Sequence, residues 1–143
     1  MELGVTVTGH NLTDGEIAAY EAGARIRLPP QYRAFLKRKN GFLPLQMMGP
    51  SVGVRTDLAE FFPLFTKEKR GNRMTVEYAN DLIWFAMDSG GGRFGLAHTG
   101  RNFGKVYWFD LPHCCLDNPT SDDCMSVADT FDAFLESLVA IDV

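Results

Sequence analysis

Three segments of the chain place apolar residues at the spacing of an amphipathic helix, two near its start and one near its end. The first begins at Thr13 and Glu16, a capping-box pair in which each side chain can bond the other residue's backbone. The second begins at Leu28-Pro29-Pro30, because the first helical turn does not need the N–H that proline lacks. The third follows Asp129, a residue type that caps helix N-termini. The inward positions are, in chain order, Ile17, Tyr20 and Ala24, then Tyr32, Phe35 and Leu36, then Phe131, Phe134, Leu135, Leu138 and Val139.

Between the second and third helices the pattern changes to apolar runs of strand length separated by glycine-bearing turns. The runs are residues 82–87, 93–98 and 105–110, and the turns are residues 88–92 and 99–104. Short strands joined in this way predict an antiparallel meander.

The remaining segments carry weaker signals. Residues 1–10 predict an arm or a short edge strand, and residues 42–65, broken by proline and glycine, predict short strands and turns. Thr75 is expected to cap a brief helix that ends at Ala79. Residues 111–125 lack periodicity and contain two prolines, so we expect a loop there.

Together these elements predict an α+β fold. An antiparallel sheet of about five or six strands is expected to pack against two N-terminal helices and one C-terminal helix. The composition, 45% hydrophobic and 22% charged, is ordinary for a globular protein, and no linker or repeat divides the chain. We therefore expect a single domain over residues 1–143.

Charge and sorting signals narrow the range of partners. The net charge of −4 offers no general basic face for phosphates, so we expect no nucleic-acid partner. The N-terminus lacks the basic flank and apolar core of a signal peptide, and no apolar run approaches the ~20 residues that span a bilayer. The cysteines, Cys114, Cys115 and Cys124, show no framework spacing, which favours a reducing compartment. We expect a cytoplasmic protein without a membrane partner.

Two segments hold residue types that could support a metal, a cofactor or catalysis. His113, Cys114, Cys115 and Cys124 are possible zinc ligands, but adjacent cysteines do not form the C-x-x-C spacing of a zinc knuckle, so we expect no metal. The glycine run at residues 89–92 leads into a strand rather than a helix N-terminus, which favours a turn over a phosphate site. We expect no cofactor and no catalytic residue, because no nucleophile lies in a recognisable catalytic motif.

Charged and polar residues in the predicted loop and hairpin tips are the candidates for binding a protein partner. Asp117, Asp122 and Asp123 form an acidic stretch that could meet a basic protein surface. The alternative is an ordinary solvated loop. A second exposed polar patch, with the same alternative, consists of Arg93, Arg101 and Asn102.

Several short motifs follow one another in an order that is typical of one family. They are Leu28-Pro29, Tyr32, Phe35-Leu36, Asn40-Gly41, Gly91-Gly92, Phe94, Leu96, Val106-Tyr107-Trp108, Ala128, Thr130-Phe131 and Phe134-Leu135. In this combination, over roughly residues 12–140, the chain resembles the SUKH superfamily, which holds bacterial toxin-immunity proteins and relatives of fungal cell-wall-assembly regulators. One departure is Arg93, because many relatives carry an acidic residue directly after the glycines.

The resemblance implies a protein that works by binding other proteins. The first hypothesis is an immunity protein that neutralises a cognate bacterial toxin by stoichiometric binding. The alternative is a regulatory adaptor that docks signalling or cell-envelope proteins. A small enzyme that uses the Cys114-Cys115 loop is the third hypothesis and ranks last.

Overall fold

The structure is a computed structural model that describes residues 6–7, 11–38, 42–43, 47–48, 57–62, 77–88, 91–110, 119–137 and 139–140. The helices of this part are α1 (Asp14–Ala24), α2 (Pro30–Arg38) and α3 (Phe131–Glu136), with a short 3-10 turn at Ser121–Asp123. The strands are β1 (Thr6–Val7), β2 (Phe42–Leu43), β3 (Met47–Met48), β4 (Asp57–Phe61), β5 (Glu77–Ala79), β6 (Leu82–Asp88), β7 (Arg93–Ala97), β8 (Val106–Phe109), β9 (Met125–Ala128) and β10 (Val139–Ala140).

The strands form one antiparallel sheet in the order β1-β2-β4-β6-β7-β8-β9, with β3 between β4 and β10 and with β5 beside β6. The α+β class, the antiparallel sheet and the positions of the three helices are confirmed. The described sheet has ten strands, many of them short, whereas about five or six were predicted. Strands β6 to β9 form a four-stranded meander at one end of this order, and the other described strands continue the sheet from β6.

The two N-terminal helices begin where local signals place them, and the predicted stop of the second, Asn40-Gly41, lies outside the described residues. Thr13 Oγ1 accepts from the Glu16 backbone N–H at 3.2 Å, and the Glu16 carboxylate accepts from the Thr13 N–H at 3.2 Å, so the predicted capping box is present. Helix α1 ends at Ala24, and its C-cap residue, Arg25, adopts the left-handed conformation with a φ of 57°. An ion pair of 3.1 Å between Lys37 and Asp14 links the end of α2 to the start of α1.

The C-terminal helix begins one residue later than predicted and is shorter. Thr130, rather than Asp129, is the N-cap, and its Oγ1 accepts from the Ala133 N–H at 3.0 Å. The helix ends at Glu136, and Val139, which was predicted to lie on its inward face, belongs to β10. Threonine and aspartate both cap helices, so residue type alone does not choose between two adjacent candidates.

The helices cover one face of the sheet with an aromatic core. Phe131 of α3 lies 5.2 Å from the Tyr32 ring and 5.2 Å from the Phe35 ring, both in α2. Phe134 is fully buried, and its ring centroid lies 5.5 Å from that of Phe85 in β6, with the two rings edge to face. Such pairs add to the stability that burial of apolar area provides. The inward positions predicted for Tyr32, Phe35, Phe131 and Phe134 are confirmed.

The opposite face of the sheet carries a smaller apolar cluster. Leu82, Ala97 and Tyr107 are buried there, and Cys124 packs against them. The segment that holds Cys124 therefore lies against this face.

Two predictions of local structure are wrong. Residues 77–79, predicted as part of a brief helix, form β5, which pairs with β6. The predicted loop of residues 111–125 ends in the 3-10 turn and the start of β9, which pairs with β8. In both segments the backbone conformation follows from pairing with a neighbouring strand, and a local pattern does not show such pairing.

Candidate partner-binding site

Three connections meet at one end of the sheet, which we call the connection end: the Asn80–Asp81 turn, the loop of residues 98–105 and the Ser121–Asp123 turn. The Asp81 carboxylate joins the first to the third, because it accepts from the Ser121 N–H at 3.0 Å and also from the Ser121 hydroxyl. Asn102 joins the loop to the same turn by donating its amide to the Ser121 hydroxyl at 3.3 Å. The three connections are therefore held together by side-chain hydrogen bonds.

His98 and Asn80 fix the backbone of the connection end. His98 is buried, and its Nε2 lies 2.9 Å from the Asn80 carbonyl oxygen. Because a carbonyl oxygen only accepts, this nitrogen carries the hydrogen. The His98 backbone N–H donates to the Asp81 carbonyl at 2.9 Å, and Asn80 Nδ2 donates to the Pro119 carbonyl at 3.3 Å. These bonds hold the turn and the loop in one arrangement.

Tyr107 lies beneath the connection end, in the apolar cluster of the second face. Burial raises the pKa of Tyr107 above its ordinary value of 10.0, and the negative charge of Asp81 raises it further. The hydrogen bond with Ser121 acts in the opposite direction and is the smaller influence. The phenol is therefore neutral at neutral pH and contributes a hydroxyl rather than a charge.

Two of the predicted acidic residues lie at the connection end with exposed side chains, but they differ in what they bind. Asp123 Oδ2 accepts from the Thr120 N–H at 2.9 Å and from the Thr120 hydroxyl at 3.3 Å, so this carboxylate helps to close the 3-10 turn. Asp122 makes no hydrogen bond or ion pair within the described residues. Asp117 lies outside them. Asp122 is thus the acidic side chain of this turn that remains available to a partner.

The polar residues predicted at hairpin tips do not form one patch. Arg101 is exposed at the connection end, and Asn102 beside it is half-buried by its bond to the 3-10 turn. Arg93 lies at the opposite end of β7, where its Nη1 donates to the Gly91 carbonyl at 2.9 Å and its guanidinium lies 5.8 Å from the Phe62 ring centroid. The structure brings Arg101 and Asn102 together with the acidic turn and leaves Arg93 apart. Their part in partner binding stays a prediction.

Two large apolar side chains of the described residues are exposed, and neither was among the predicted site residues. Phe103, in the loop beside Arg101, is 37% exposed, and Met125, directly after the 3-10 turn and Cys124, is 42% exposed. A signal for Phe103 was present, because a phenylalanine in a turn with Gly100 and Gly104 has no strand neighbour to pack against. Exposed apolar residues next to charged ones are typical of protein interfaces.

The turn between β6 and β7 is closed by a buried carboxylate that the sequence pattern did not reveal. Asp88 Oδ1 accepts from the Gly92 N–H at 2.7 Å, and its Oδ2 accepts from Trp108 Nε1 at 2.9 Å. The predicted turn is confirmed, and it needs glycine for two reasons. Gly91 has a φ of 89°, and a Cβ on Gly92 would lie 2.6 Å from both Asp88 Oδ2 and Trp108 Nε1. The Gly92 N–H already has a carboxylate acceptor, which disfavours a phosphate loop.

Within the part of the chain that the structure describes, no group of three His, Cys, Asp or Glu side chains could hold a metal ion. Cys124 is half-buried there, and its thiol donates to the Thr120 carbonyl at 3.3 Å. His113, Cys114 and Cys115 lie outside the described residues, so the expectations on metal binding and cysteine chemistry stay predictions. No helix of the described residues is long and apolar enough to cross a membrane.

Comparison with known protein families matches residues 11–137 to the SMI1 / KNR4 family (SUKH-1). The chain belongs to this family. The matched range contains α1, α2, the meander, the connection end and α3, so the fold and the candidate site both lie within it. No curated protein and no solved structure matches the chain. The resemblance to the SUKH superfamily is thereby confirmed.

Most motif residues that carry the family resemblance are buried in this SUKH-1 domain. They are Leu28, Pro29, Tyr32, Phe35, Leu36, Gly92, Phe94, Leu96, Val106, Tyr107, Phe131 and Phe134. Buried side chains do not touch a partner, so these motifs specify the scaffold.

Proposed function

We propose that this SUKH-1 family member is a non-catalytic protein-binding domain that acts as an immunity protein and neutralises a bacterial toxin by stoichiometric binding. The observation that carries the proposal is the family match over residues 11–137, because proteins of this superfamily bind other proteins, bacterial toxins among them. Such a protein occludes the toxin's active site or substrate surface through a complementary interface.

The connection end supports the proposal because its polar groups are held in place before any partner binds. Asp81, Ser121 and Asn102 fasten the three connections to one another, so binding would order few additional groups and would lose little conformational entropy. Next to them stand the exposed carboxylate of Asp122 and the exposed ring of Phe103. Negative charge beside an aromatic ring suits a toxin surface that carries basic residues for an anionic substrate such as a nucleic acid.

The non-catalytic part of the proposal is supported by how the reactive residue types are used at this end. The buried His98 ring donates to a backbone carbonyl, and the buried Ser121 hydroxyl donates to Asp81. The Cys124 thiol donates to another backbone carbonyl. A catalytic nucleophile needs a base within hydrogen-bond reach and access to substrate. These groups instead hold the backbone, which favours binding over catalysis.

The proposal is tested by neutralisation at defined stoichiometry. The candidate toxin is the product of a gene adjacent to the one that encodes this protein, expressed in a heterologous bacterium with and without it. We expect co-expression to restore growth and the purified protein to abolish toxin activity when it is equimolar with the toxin. Loss of toxin activity at a far smaller molar ratio would show turnover and would contradict a non-catalytic mechanism.

A matched pair of variants separates surface charge from general effects. Asp122→Asn and Glu136→Gln each remove one exposed carboxylate, the first at the connection end and the second on α3. We expect only the first to weaken neutralisation. A partner that co-purifies with this protein while no toxin is neutralised would contradict immunity and favour the regulatory adaptor.

A further inference from the structure

The sheet that the described strands form ends at β9. Within the described strands, β9 is the last in the strand order and pairs with β8 alone. An edge strand presents backbone N–H and C=O groups that the sheet does not use. Met125 is 42% exposed and Ser126 is also exposed, so the first half of this edge is accessible.

We propose that this edge docks an extended segment of the partner protein, which adds to the sheet as a further strand next to β9 and carries basic residues at its flanks. The identity of that partner as a toxin rests on the function proposed above, whereas strand addition itself does not.

Strand β9 lacks most of the features by which natural sheets protect their edges. It contains no lysine, no proline and no charged residue of any kind. Its register against β8 shifts between Val106 and Tyr107, which leaves Val127 as an extra residue with a buried side chain. A bulge of this kind twists the strand and shortens its regular edge. The site therefore suits one short segment of a partner.

In the sequence, exposed carboxylates lie both before and after this strand and indicate the charge of the occupant. Asp122 and Asp123 precede β9, and Asp129 and Asp132 follow it. The basic residues of the neighbouring loop, Arg101 and Lys105, offset only part of this charge. Exposed charges act over a Debye length of about 8 Å at physiological ionic strength, so they attract a strand with lysine or arginine at its flanks. An apolar residue within that strand would lie beside the exposed Met125 side chain.

A second copy of this chain is a poorer occupant of the edge. Two β9 strands paired antiparallel across a two-fold axis would bring the residues before the strand in one copy beside the residues after it in the other. Asp123 of each copy would then lie near Asp129 of the other, and like charges placed opposite each other repel.

The probe for the edge is a short synthetic peptide that alternates threonine and valine between terminal lysines. One control peptide replaces the lysines by glutamates. A second keeps the lysines but carries N-methyl groups on alternate backbone nitrogens, which keeps the charge and removes the hydrogen bonds of a strand. Fluorescence anisotropy at two salt concentrations measures affinity, and hydrogen–deuterium exchange locates the bound segment.

We expect the lysine peptide to bind more weakly at higher salt and to slow amide exchange within residues 125–128. The N-methylated peptide should bind at least about tenfold more weakly, because charge alone steers association but does not form a strand. Met125→Lys places a like charge on the edge and should weaken the lysine peptide by about tenfold or more. Ala19→Lys adds the same charge at an exposed position of α1 and should change affinity by less than about twofold.

The proposal is wrong if the lysine and N-methylated peptides bind equally, if the lysine peptide does not bind, or if binding leaves residues 125–128 unprotected. Self-association that Met125→Lys abolishes would also overturn the choice of occupant. Both lysine variants replace exposed residues, and thermal melts establish that they remain folded. Failure of the immunity function is seen separately. If the protein binds the peptide along β9 but neutralises no toxin, strand addition is supported and the immunity function is wrong. If it binds a toxin while the β9 amides stay unprotected, the immunity function is supported and strand addition is wrong.

Discussion

Replacing Gly92 by alanine adds one methyl group at the point where Asp88 and Trp108 meet. The new Cβ would lie 2.6 Å from Asp88 Oδ2, 2.6 Å from Trp108 Nε1 and 2.9 Å from the indole carbon next to it. Real Cβ atoms do not approach other atoms so closely, so the carboxylate and the indole must move apart. Their 2.9 Å hydrogen bond is then lost, although Asp88 is only 3% exposed and cannot replace it with water.

The size of the effect follows from two contributions. A hydrogen bond to a charged group contributes about 1.5–3 kcal/mol to stability. Overpacking a close-packed site costs about 1–3 kcal/mol more. We therefore expect Gly92→Ala to lower the free energy of unfolding by about 3–5 kcal/mol, with a fall in Tm of about 10 °C or more for a chain of this size.

The assay is urea unfolding followed by circular dichroism, with Gly23→Ala as the matched control. Gly23 lies in α1, and a methyl group added there would meet no neighbouring atom within 4 Å, so the same chemical change should stabilise the protein by about 0.5 kcal/mol through helix propensity. In a Trp108→Phe background the indole N–H is already absent. We expect Gly92→Ala to cost about 1–2 kcal/mol less in that background. An unchanged cost there, or a loss below about 1 kcal/mol in the wild type, would refute the steric argument.

Three further predictions use side chains with contrasting surroundings. Phe134→Ala, at a fully buried ring, should lower the free energy of unfolding by about 3–5 kcal/mol, whereas Phe103→Ala, at a ring that is 37% exposed, should cost less than about 1 kcal/mol; equal costs in urea unfolding would place the core elsewhere. Within the described structure the buried Tyr32 hydroxyl has no hydrogen-bond partner, so Tyr32→Phe should stabilise the protein by about 1 kcal/mol, and destabilisation would reveal a partner. Burial raises the pKa of Tyr32 above its ordinary value of 10.0. The stability that the neutral phenol contributes is therefore fully present below pH 10.0 and is lost as pH rises above it. Tyr32→Phe should reduce this loss in thermal melts across alkaline pH. Asp122→Asn should slow association with the partner and flatten its salt dependence without changing Tm, whereas Asp123→Asn should also lower Tm because Asp123 closes the 3-10 turn; equal Tm values would show that this closure contributes nothing.

The helices could be predicted because their signals are local. The Thr13 and Glu16 capping box and the spacing of Tyr32 and Phe35 involve residues within one or two turns of each other, and the structure has them as predicted. The error of one residue at the start of α3 has the same origin, since Thr130 and Asp129 satisfy the local rule equally well.

Strand β9 could not be predicted because its signals are not local. Met125, Ser126 and Ala128 are not strongly strand-forming, and the single buried β-branched residue is Val127. Pairing with β8, the preceding strand, determines β9, and the connection between the two is too long for a tight hairpin turn. Asp88 was missed for the same reason, because its role depends on Trp108, a residue of a different strand.

The candidate site residues show the same difference between local signals, which could be predicted, and contacts across the fold, which could not. Exposure of Asp122 and Arg101 could be predicted, because charged residues in polar turns face solvent. The bonds that engage Asn102 with Ser121 and Arg93 with Gly91 could not, because they need distances across the fold. The sequence therefore identified charged surface residues and could not show which of them the fold already uses.

The motif residues are buried and the connections are exposed, and this difference would let one scaffold bind different partners. Phe134 and Gly92 are constrained by close packing, so most changes there cost stability. Asp122 and Met125 are exposed, so substitutions at these positions change the charge and the shape offered to a partner at little cost in stability. An immunity protein of the kind proposed above needs exposed positions of this second kind on a rigid frame. The hydrogen bonds of Asp81 with Ser121 supply such a frame at the connection end, next to β9, the last of the described strands.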